Sequence, residues 1–328
     1  MVYRMKKFLI TGIGGFVGSY FWEYLEKQPE KSIVLGLDMG PESPISAANF
    51  SYQQMDLTDR LSVYKTIEDF QPDYILHLAS FSSVSQSWKM PAESFINNTN
   101  IFLNIVEAIR SLALKTRILS IGSSEEYGDY PINAMPLREE YELYPGSPYA
   151  VARVSQEMLS KLYAEHYHLN IIMTRSFNHI GPRQRDVFVI PSFIKQLVKI
   201  ANCDGCGELH VGNIEVIRDF LDVRDVVDAY YRILIQGKIG STYNVCSGIG
   251  VKLKDIIQEA TDILHIQTKI IVDPQRIRPT ENMCIIGDNT RLINELNWQP
   301  NHTMKGTITE MIDYWKSYLT FRDFSNCD

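Results

Sequence analysis

Short apolar runs alternate with helix-like segments through the first half of this 328-residue chain. The apolar runs, which predict strands, are KKFLIT, SIVLGLD, FSYQQMD, DYILHLA, RILSIGS and NIIMTRSFN. Helix-like periodicity lies between them, near residues 15–27, 58–69, 91–113, 148–167 and 190–202. Nearly continuous apolar strands that alternate with helices are typical of βαβ units around a buried parallel sheet. The pattern therefore predicts an α/β fold with a doubly wound parallel sheet.

The alternating rhythm changes after about residue 178. The segment NHIGPRQRDVFVIP is rich in loop residues and arginine, and shorter elements follow it, including a strand-like STYNVCSG and helices near 251–264 and 303–319. Between them, RDFLDVRDVVDAYYRIL predicts a helix that returns to the sheet. We therefore expect a first domain over residues 1–178, with a returning segment near 214–236, and a smaller, interleaved C-terminal lobe mainly over 179–328. Ligands of such sheets bind in the crevice outside the carboxyl ends of the strands, so this crevice should hold the substrate.

Composition and charge narrow the class of partner. The chain is 45% hydrophobic and 22% charged, as in an ordinary globular protein, and its net charge is −7. Nucleic-acid-binding proteins usually carry a basic stripe that neutralises phosphates, so we expect no nucleic-acid partner. No segment approaches the roughly 20 apolar residues of a membrane span. Glycines interrupt the first apolar run, which predicts a buried strand rather than a secretion signal, and we expect a cytoplasmic protein without a membrane partner.

The five cysteines are an odd number and do not form a disulfide framework. Cys203 and Cys206 form a single C-x-x-C with His210 nearby. A zinc or redox site would need further ligands or a helix that begins at the first cysteine. The sequence DGCG is typical of a turn instead, and we predict no metal site.

A glycine-rich segment, TGIGGFVG, runs directly from the first predicted strand into a helix. Gly12, Gly15 and Gly18, with Phe16 and Val17 between the last two, have the spacing G-x-x-G-x-x-G. Glycine at these positions permits a tight turn and lets the backbone approach a pyrophosphate at the helix N-terminus. The context of strand, turn and helix predicts that the first domain is a Rossmann-type dinucleotide-binding domain.

Two acidic positions extend this prediction. Asp38 ends the second predicted strand, where a carboxylate accepts hydrogen bonds from the adenosine ribose and repels a 2′-phosphate. It favours NAD(H), with NADP(H) as the alternative, although aspartate is also common in turns at strand ends. Asp56 and Leu57 follow the third strand and border the adenine in this interpretation, while Asp56 or Thr58 could also cap the next helix.

Longer segments carry a more specific resemblance. They are IGSSEEYG, SFNHIGPRQ, VGNIEVIRDFLDVRDVV, YNVCSGIG and RPTENMCIIGDNTRL. Together with the glycine-rich turn and Tyr149, they resemble the nucleotide-sugar branch of the extended short-chain dehydrogenase/reductase family. Within it they are most similar to GDP-4-keto-6-deoxymannose reductases and GDP-mannose 4,6-dehydratases. The resemblance implies an NAD(P)-dependent enzyme that acts on a GDP-sugar or another nucleotide sugar, and a homodimer formed through the helices near 91–113 and 148–167.

The resemblance also implies the catalytic residues. In this family a serine or threonine after the fifth strand and a helix tyrosine bond the reacting sugar oxygen, and these positions match Ser123 and Tyr149. The family lysine, one helical turn after the tyrosine, supplies positive charge and bonds the nicotinamide ribose, but here the position is Arg153. Arginine keeps the charge and can donate to the ribose, but its planar guanidinium is not deprotonated and cannot serve in a proton relay. The alternative is that Tyr149 and Arg153 form an ordinary surface pair on a helix.

Three functions fit this constellation. The favoured one is reduction of the C4 ketone of a GDP-linked 4-keto-6-deoxy sugar, with Tyr149 as the acid. The second is a 4,6-dehydratase or related epimerase, in which Glu125 removes the C5 proton of the oxidised sugar. Similar reductases also carry an acidic pair after two serines, so Glu125 alone does not separate the two. The third is a protein that binds nucleotide sugar and cofactor without turnover, because Arg153 replaces the lysine.

The resemblance implies further ligand-binding positions. Ala79 and Ser80 should lie against the cofactor. The positions matched to substrate contacts are Ser82, Ser83, Ser124, Asn178, Arg183, Arg218, Arg278 and Glu281. Among these, Arg218 and Arg278 match arginines that bind the diphosphate through their paired N–H donors, and Glu281 matches an acid that accepts hydrogen bonds from ribose hydroxyls. Asn98 matches an asparagine that orients the loop around Ser82, and is otherwise a helix-face amide.

Overall fold

A computed structural model gives the fold of residues 4–203, 205–277 and 282–325. The strands are β1 (Lys6–Thr11), β2 (Ser32–Asp38), β3 (Phe50–Gln54), β4 (Tyr74–His77), β5 (Arg117–Ser123), β6 (Asn170–Ser176), β7 (Asn178–Ile180), β8 (Cys206–Val211), β9 (Ile217–Asp222), β10 (Thr242–Val245), β11 (Gly250–Lys252), β12 (Gln267–Val272) and β13 (Cys284–Ile285). The α-helices are α1 (Phe16–Glu26), α2 (Arg60–Phe70), α3 (Val84–Lys89), α4 (Pro91–Ser111), α5 (Pro148–His166), α6 (Val189–Asn202), α7 (Val223–Gln236), α8 (Leu253–Leu264), α9 (Thr290–Leu296) and α10 (Met304–Ser325). Short 3-10 helices span Ser124–Tyr127, Ile132–Ala134 and Pro274–Arg276. Among the helices within these ranges, none is both long and apolar enough to cross a bilayer.

Seven strands form one sheet in the order β10-β6-β5-β4-β1-β2-β3, and every neighbouring pair is parallel. Apolar residues of α1 and α7 cover one face, and those of α2, α4 and α5 cover the other. The predicted α/β fold with a Rossmann-type doubly wound sheet is confirmed. The chain order reverses between β1 and β4, so a crevice opens at the carboxyl ends of these two strands.

The central strand β1 shows why this sheet forms. Phe8 and Ile10 point to the face covered by α1 and α7, and Leu9 points to the opposite face. All three side chains are at most 1% exposed, which explains why the strand is apolar at successive positions. Burial of each such side chain contributes about 1.5–3 kcal/mol to the stability of the fold. The buried central strands therefore form a stable support for the residues that line the crevice.

The C-terminal half contributes to both parts of the molecule. β10 pairs with β6 at the edge of the large sheet, and α7 packs in the same core as α1. The segment RDFLDVRDVVDAYYRIL, predicted as one helix, is instead β9 followed by α7. Asp222 ends the strand and caps the helix, since its carboxylate accepts from the Arg224 amide at 2.8 Å. A second core, made by α6, α8 and α10 against β8 and β9, forms the smaller, interleaved lobe that the sequence predicted.

The start of α2 differs from its prediction. The cap is Asp59, whose carboxylate accepts from the amides of Leu61 and Ser62. Asp56 accepts from the amide and hydroxyl of Thr58 at 2.9 and 2.7 Å, in the turn before the helix. The cap predicted at Asp56 or Thr58 is therefore wrong, because two local aspartate turns follow each other and only the second faces the helix.

Candidate active site

The glycine-rich turn between β1 and α1 lies at the crevice. Gly12 has a φ of +73°, in the left-handed region, and its amide donates to the Leu37 carbonyl at 2.7 Å. A Cβ at Gly12 would lie 2.9 Å from the Ala79 nitrogen, and a Cβ at Gly18 would lie 2.6 Å from the Gly12 oxygen. Any side chain at these two positions would push the turn away from its neighbours, so the turn depends on glycine as the spacing predicted.

The N-terminus of α1 is suited to an anion. Gly15 is the N-cap and supplies no side-chain acceptor to the first turn, as is also the case at the starts of α4, α6, α8 and α9. The free amides and the helix dipole favour a negative charge at this end. Phe16 and Val17 begin the helix and are half-buried. The turn thus fits the pyrophosphate of a dinucleotide, and the assignment of these residues to a cofactor stays a prediction.

Asp38 lies directly beside this turn, at the end of β2. Its Oδ2 accepts from the Gly14 amide at 2.8 Å, and its Oδ1 accepts from the Met39 amide at 2.7 Å. Each carboxylate oxygen can accept a second hydrogen bond, and the side chain is only half-buried. Asp38 can therefore hold the turn and still accept from ribose hydroxyls. Leu57 is buried in the core, and Asp56 stands in its own turn close to β3.

The loop after β4 approaches the glycine-rich turn. The Ala79 amide donates to Thr11 Oγ1 at 3.1 Å, and Ser80 beside it is half-buried. Asn98 of α4 is fully buried, where its Oδ1 accepts from the Phe81 amide at 2.9 Å and its Nδ2 donates to the Phe81 carbonyl at 3.3 Å. Asn98 therefore orients this loop and is no solvent-facing helix amide.

The two serines matched to sugar contacts have different surroundings. Ser83 is the N-cap of α3, and its hydroxyl accepts from the Gln86 amide at 3.2 Å. Ser82 is exposed at the same loop. Ser82 has the freer hydroxyl for a ligand, and both assignments stay predictions.

Ser123 ends β5 and starts the 3-10 helix Ser124–Tyr127. Its hydroxyl accepts from the Glu125 amide at 3.2 Å, and its own amide donates to Glu126 Oε1 at 2.6 Å. This reciprocal capping box fixes Ser123 at the strand end. Ser124 is buried and Glu125 is half-buried. Sequence reasoning missed Glu126, although the spacing S-x-x-E is the usual signal of a capping box.

A buried carboxyl group stands behind the serine. Glu126 is 0% exposed and lies beside the ion pair of Glu157 and Arg175, whose closest N···O distance is 2.7 Å. Burial, and then repulsion from the Glu157 charge, raise the pKa of Glu126 well above its ordinary value. Burial also acts to raise the pKa of Glu157, but Arg175 and Lys161 outweigh it and lower that pKa to about 2. The protein therefore favours a neutral Glu126 next to an ionised Glu157.

The first turns of α5 carry the tyrosine and the arginine. Ser147 caps the helix by accepting from the Ala150 amide at 3.1 Å. Arg153 Nε donates to Tyr149 Oη at 3.2 Å, and Arg153 Nη1 donates to the Ile121 carbonyl of β5 at 3.0 Å. The two side chains are 7% and 4% exposed, so the alternative of an ordinary surface pair is wrong. The structure places the pair against β5, close to Ser123.

A second buried partner of Arg153 was not predicted. Arg153 Nη1 also donates to Gln156 Oε1 at 2.7 Å. Side chains at i and i+3 on a helix lie close together, so the sequence contained a signal for this contact. His77 lies nearby, where burial and then the Arg153 charge lower its pKa to about 3, so that the ring is neutral.

Two residues matched to substrate contacts lie on neighbouring strands of the smaller lobe. Asn178 begins β7, and its Nδ2 donates to the Asp219 carbonyl of β9 at 3.1 Å. Arg218 lies on β9, is half-buried and donates from Nη1 to the Ile217 carbonyl at 2.9 Å. The structure thus brings these two predicted residues onto adjacent strands. Arg278 and Glu281 lie outside the described residues.

Arg183 points to a different part of the molecule. It has a φ of +71°, and its guanidinium donates to both carboxylate oxygens of Glu23, at 2.6 and 3.2 Å. The same group lies 3.9 Å from the centre of the Tyr20 ring. These contacts tie Arg183 to α1 rather than to Asn178 or Arg218, and its role toward substrate stays a prediction.

Known proteins resemble this chain over nearly its whole length. The family model for GDP-mannose 4,6 dehydratase matches residues 9–311. GDP-6-deoxy-D-mannose reductase from Pseudomonas aeruginosa is 31% identical over 317 residues, which cover 95% of this chain and 98% of the relative. GDP-mannose 4,6-dehydratase from Vibrio cholerae is 29% identical and covers 94% of this chain and 92% of the relative.

Solved structures agree with this similarity. The structure of RMD from Pseudomonas aeruginosa complexed with NADPH has a TM-score of 0.82 at 30% identity, and covers 96% of this chain and 100% of its own. UDP-glucose 4-epimerase from Thermotoga maritima, solved with UDP-glucose, has a TM-score of 0.86 at 23% identity, and covers 95% of this chain and 99% of its own. The second likeness shows the fold alone.

Proposed function

The chain belongs to the GDP-mannose 4,6-dehydratase family, and from this premise we propose that it reduces the C4 ketone of a GDP-linked 4-keto-6-deoxy sugar. The observation that carries this proposal is the buried contact between Arg153 and Tyr149 beside Ser123, at the end of β5. The full-length similarity to GDP-6-deoxy-D-mannose reductase supports it. The family likeness supports a GDP-sugar over another nucleotide sugar as the substrate.

Each residue at the strand end has a defined task in this reduction. Ser123 and Tyr149 donate hydrogen bonds to the ketone oxygen and orient it. A bound nicotinamide supplies the hydride that is added to C4. The Tyr149 O–H bond breaks as the new O–H bond of the sugar forms, so the ketone becomes an alcohol, and the tyrosine recovers its proton from solvent. Arg153 stabilises the negative charge that develops on Tyr149 Oη, because its Nε already donates to that atom.

The proposed cofactor is NADH, with NADPH as the alternative. The uncapped N-terminus of α1 and the glycine-rich turn suit the pyrophosphate, with Ala79 and Ser80 along the other side. Asp38 beside the turn favours ribose hydroxyls over a 2′-phosphate. The RMD structure from Pseudomonas aeruginosa contains NADPH, which keeps the phosphorylated cofactor as a measurable alternative.

A second candidate is the dehydration of GDP-mannose. It is favoured by the half-buried Glu125, which follows Ser123 directly in the 3-10 helix, and by the similarity to GDP-mannose 4,6-dehydratases. Glu125 would then take the C5 proton of the oxidised sugar and pass it to the C6 hydroxyl, which would leave as water. This reaction returns its hydride to the sugar and consumes no cofactor.

The test follows nicotinamide absorbance and product mass together. The purified protein is mixed with GDP-4-keto-6-deoxymannose and NADH, and separately with GDP-mannose and NAD. We expect loss of NADH with a gain of two hydrogens in the sugar, and we expect Tyr149→Phe to lower kcat by about 10²–10⁴-fold. Tyr167→Phe, an exposed tyrosine of the same helix region, is the matched control and should leave kcat unchanged.

The remaining outcomes of this assay separate the other candidates. Loss of water from GDP-mannose without net change in NAD would establish the dehydratase and place Glu125 at the centre. Binding of both ligands with no turnover in either mixture would establish a binding protein, and a rise in melting temperature with each ligand would reveal it.

We also propose a homodimer formed through α4 and α5. These helices pack together in one core, yet each leaves apolar side chains exposed on its outer surface. Those of α5 are Val151, Met158 and Leu162, which share one helix face, and those of α4 include Phe95 and Ile96. A second copy of the chain, presenting the same two helices, would cover this patch in an isologous interface.

The domain limits and the compartment complete the proposal. We assign residues 1–178, with the returning segment near 214–236, to cofactor binding, and most of 179–328 to binding the nucleotide sugar. Asn178 and Arg218 on adjacent strands support the second assignment. The four cysteines in the described residues are free thiols, which supports a reducing, cytoplasmic location.

A further inference from the structure

The guanidinium of Arg153 donates three hydrogen bonds to protein acceptors. Nε donates to Tyr149 Oη, and Nη1 donates both to the Ile121 carbonyl at 3.0 Å and to Gln156 Oε1 at 2.7 Å. The guanidinium carbon also lies 5.2 Å from the centre of the Tyr149 ring. Within the described residues no protein group accepts from Nη2, so this nitrogen remains as a donor for a ligand.

Gln156 is in turn fixed by its own partners. Its Nε2 donates to Ser120 Oγ at 2.9 Å and to the Ile121 carbonyl at 3.3 Å. Ser160 Oγ bonds Ser120 Oγ at 3.0 Å from the other side. Gln156, Ser120 and Ser160 are at most 2% exposed. Because arginine can only donate, the amide oxygen of Gln156 must face Arg153, and Ser120 holds the amide in that orientation.

We propose that Gln156 is a positioning residue that enables arginine to work in the place of the family lysine. An arginine side chain has several rotatable bonds and loses rotamer entropy when it is fixed. Since a guanidinium is not deprotonated, Arg153 can assist only through its charge and its fixed donors, and such assistance depends on preorganisation. Gln156 supplies this preorganisation: it keeps Nε on Tyr149 Oη and leaves Nη2 for the nicotinamide ribose.

The proposal rests on the proposed function, and a double-mutant cycle tests it. Gln156→Met keeps the volume of the side chain but removes the acceptor for Arg153. It is compared in the native chain and in the Arg153→Lys background, with kcat, KM and the dissociation constant of NADH measured for each protein. Ser160→Ala is the matched control, since Ser160 belongs to the same buried cluster but bonds no atom of Arg153.

We expect Gln156→Met to lower kcat by about tenfold and to raise the NADH dissociation constant by about threefold, with a smaller effect on the KM for the sugar. In the Arg153→Lys background the same change should alter each constant by less than about twofold. A purely structural role for Gln156 would move the melting temperature and the constants equally in both backgrounds, and this result would overturn the proposal. An unchanged kcat and NADH affinity in the native background would overturn it as well.

The NADH measurement separates failure of this proposal from failure of the proposed function. Nicotinamide binding is followed by fluorescence and needs no sugar substrate. If neither sugar is turned over but Gln156→Met weakens NADH binding only when Arg153 is present, the positioning role holds and the sugar assignment fails. If NADH binding responds equally in both backgrounds, the positioning role fails whichever sugar is turned over.

Discussion

Asp38 combines two tasks in one side chain. Its carboxylate accepts from the Gly14 amide at 2.8 Å, which holds the glycine-rich turn, and it faces the place of the adenosine ribose in the proposed complex. A hydrogen bond to a charged group contributes about 1.5–3 kcal/mol, so one ribose contact corresponds to at least a tenfold change in affinity. We therefore expect Asp38 to contribute to the choice between NADH and NADPH.

We predict that Asp38→Ala lowers the ratio of kcat/KM for NADH to that for NADPH by about tenfold or more. Asp38→Asn separates the two tasks, because the amide oxygen still accepts from Gly14 but the charge that repels a 2′-phosphate is lost. It should bind NADPH better at a modest cost in stability, because the Met39 amide loses its acceptor when the single amide oxygen accepts from Gly14. Asp69→Ala, at an exposed position of α2, is the matched control, and an unchanged ratio in Asp38→Ala would show that Asp38 does not contact the ribose.

Local spacing made several single residues predictable. Gly12, Gly15 and Gly18 follow from the geometry of a tight turn. Tyr149 and Arg153 were implied by the family resemblance, and their spacing of one helical turn agrees with it. Arg183 was beyond such reasoning, because its partner Glu23 lies 160 residues earlier in the chain and only the folded structure brings the two together. Nothing in the local pattern reveals a long-range ion pair of this kind.

At the scale of elements, the short helix Ser124–Tyr127 connects the sheet to α5. Glu126 accepts from the Ser123 amide at one end and faces the ion pair of Glu157 and Arg175 at the other. Its carboxyl group is wholly buried and raised in pKa by that burial and by the Glu157 charge. The element thus positions Ser123, the proposed catalytic serine, on a carboxyl group that the fold prefers to keep protonated.

We predict that Glu126→Gln stabilises the protein at neutral and alkaline pH. The pKa of Glu126 is higher in the folded than in the unfolded chain, so the folded chain holds the extra proton and its stability falls as pH rises above the unfolded value. Glutamine keeps the acceptor for Ser123 and cannot ionise. The gain in the free energy of unfolding should vanish toward pH 4 and increase with pH. Its slope should not exceed about 1.4 kcal/mol per pH unit, because only one proton is involved. Denaturant unfolding between pH 4 and 9 measures it.

Glu157→Gln provides the contrast for this experiment. Glu157 has a pKa lowered to about 2, so its contribution to stability is present above the unfolded value and is lost as pH falls toward 2. Its replacement leaves the buried Arg175 charge without its carboxylate partner, which costs about 3–5 kcal/mol. If Glu126→Gln were as destabilising as Glu157→Gln at pH 7, Glu126 would be an ionised, paired group, contrary to the prediction.

The strands and helices were largely predictable where an apolar run has a clear periodicity and ends at a recognisable turn or cap residue. β1, β2 and β5 have the predicted bounds because their apolar runs end at a glycine-rich turn, an aspartate and a serine cap. The strand β9 was missed because RDFLD continues without a glycine or proline into the amphipathic α7. A strand and a helix that share one apolar run cannot be separated by periodicity alone, and Asp222 as a helix cap was the available signal.

At the scale of the whole molecule, the interleaving of the two lobes explains why the crevice is well defined. β10 and α7 come from the C-terminal half but belong to the large sheet and its core. The strands β7 and β9, which carry the proposed substrate residues Asn178 and Arg218, are therefore attached on both sides. The same sheet carries α5, which presents Tyr149 and Arg153 inward and an apolar face outward. A partner that covers the outer face would therefore also stiffen the helix that carries the proposed catalytic pair.

We predict that Met158→Lys converts the dimer to a monomer. Met158 is 67% exposed in the single chain and lies between Val151 and Leu162 on the outer face of α5, so two copies related by a twofold axis would bury two lysines against each other. Sedimentation at micromolar concentration should show a dimer for the native chain and a monomer for the variant. Leu61→Lys, at an 81% exposed position on α2, is the matched control and should remain dimeric. Because α5 carries the catalytic pair, we expect the monomeric variant to lose about two- to tenfold in kcat. A native chain that sediments as a monomer would remove the dimer and leave this face for another partner.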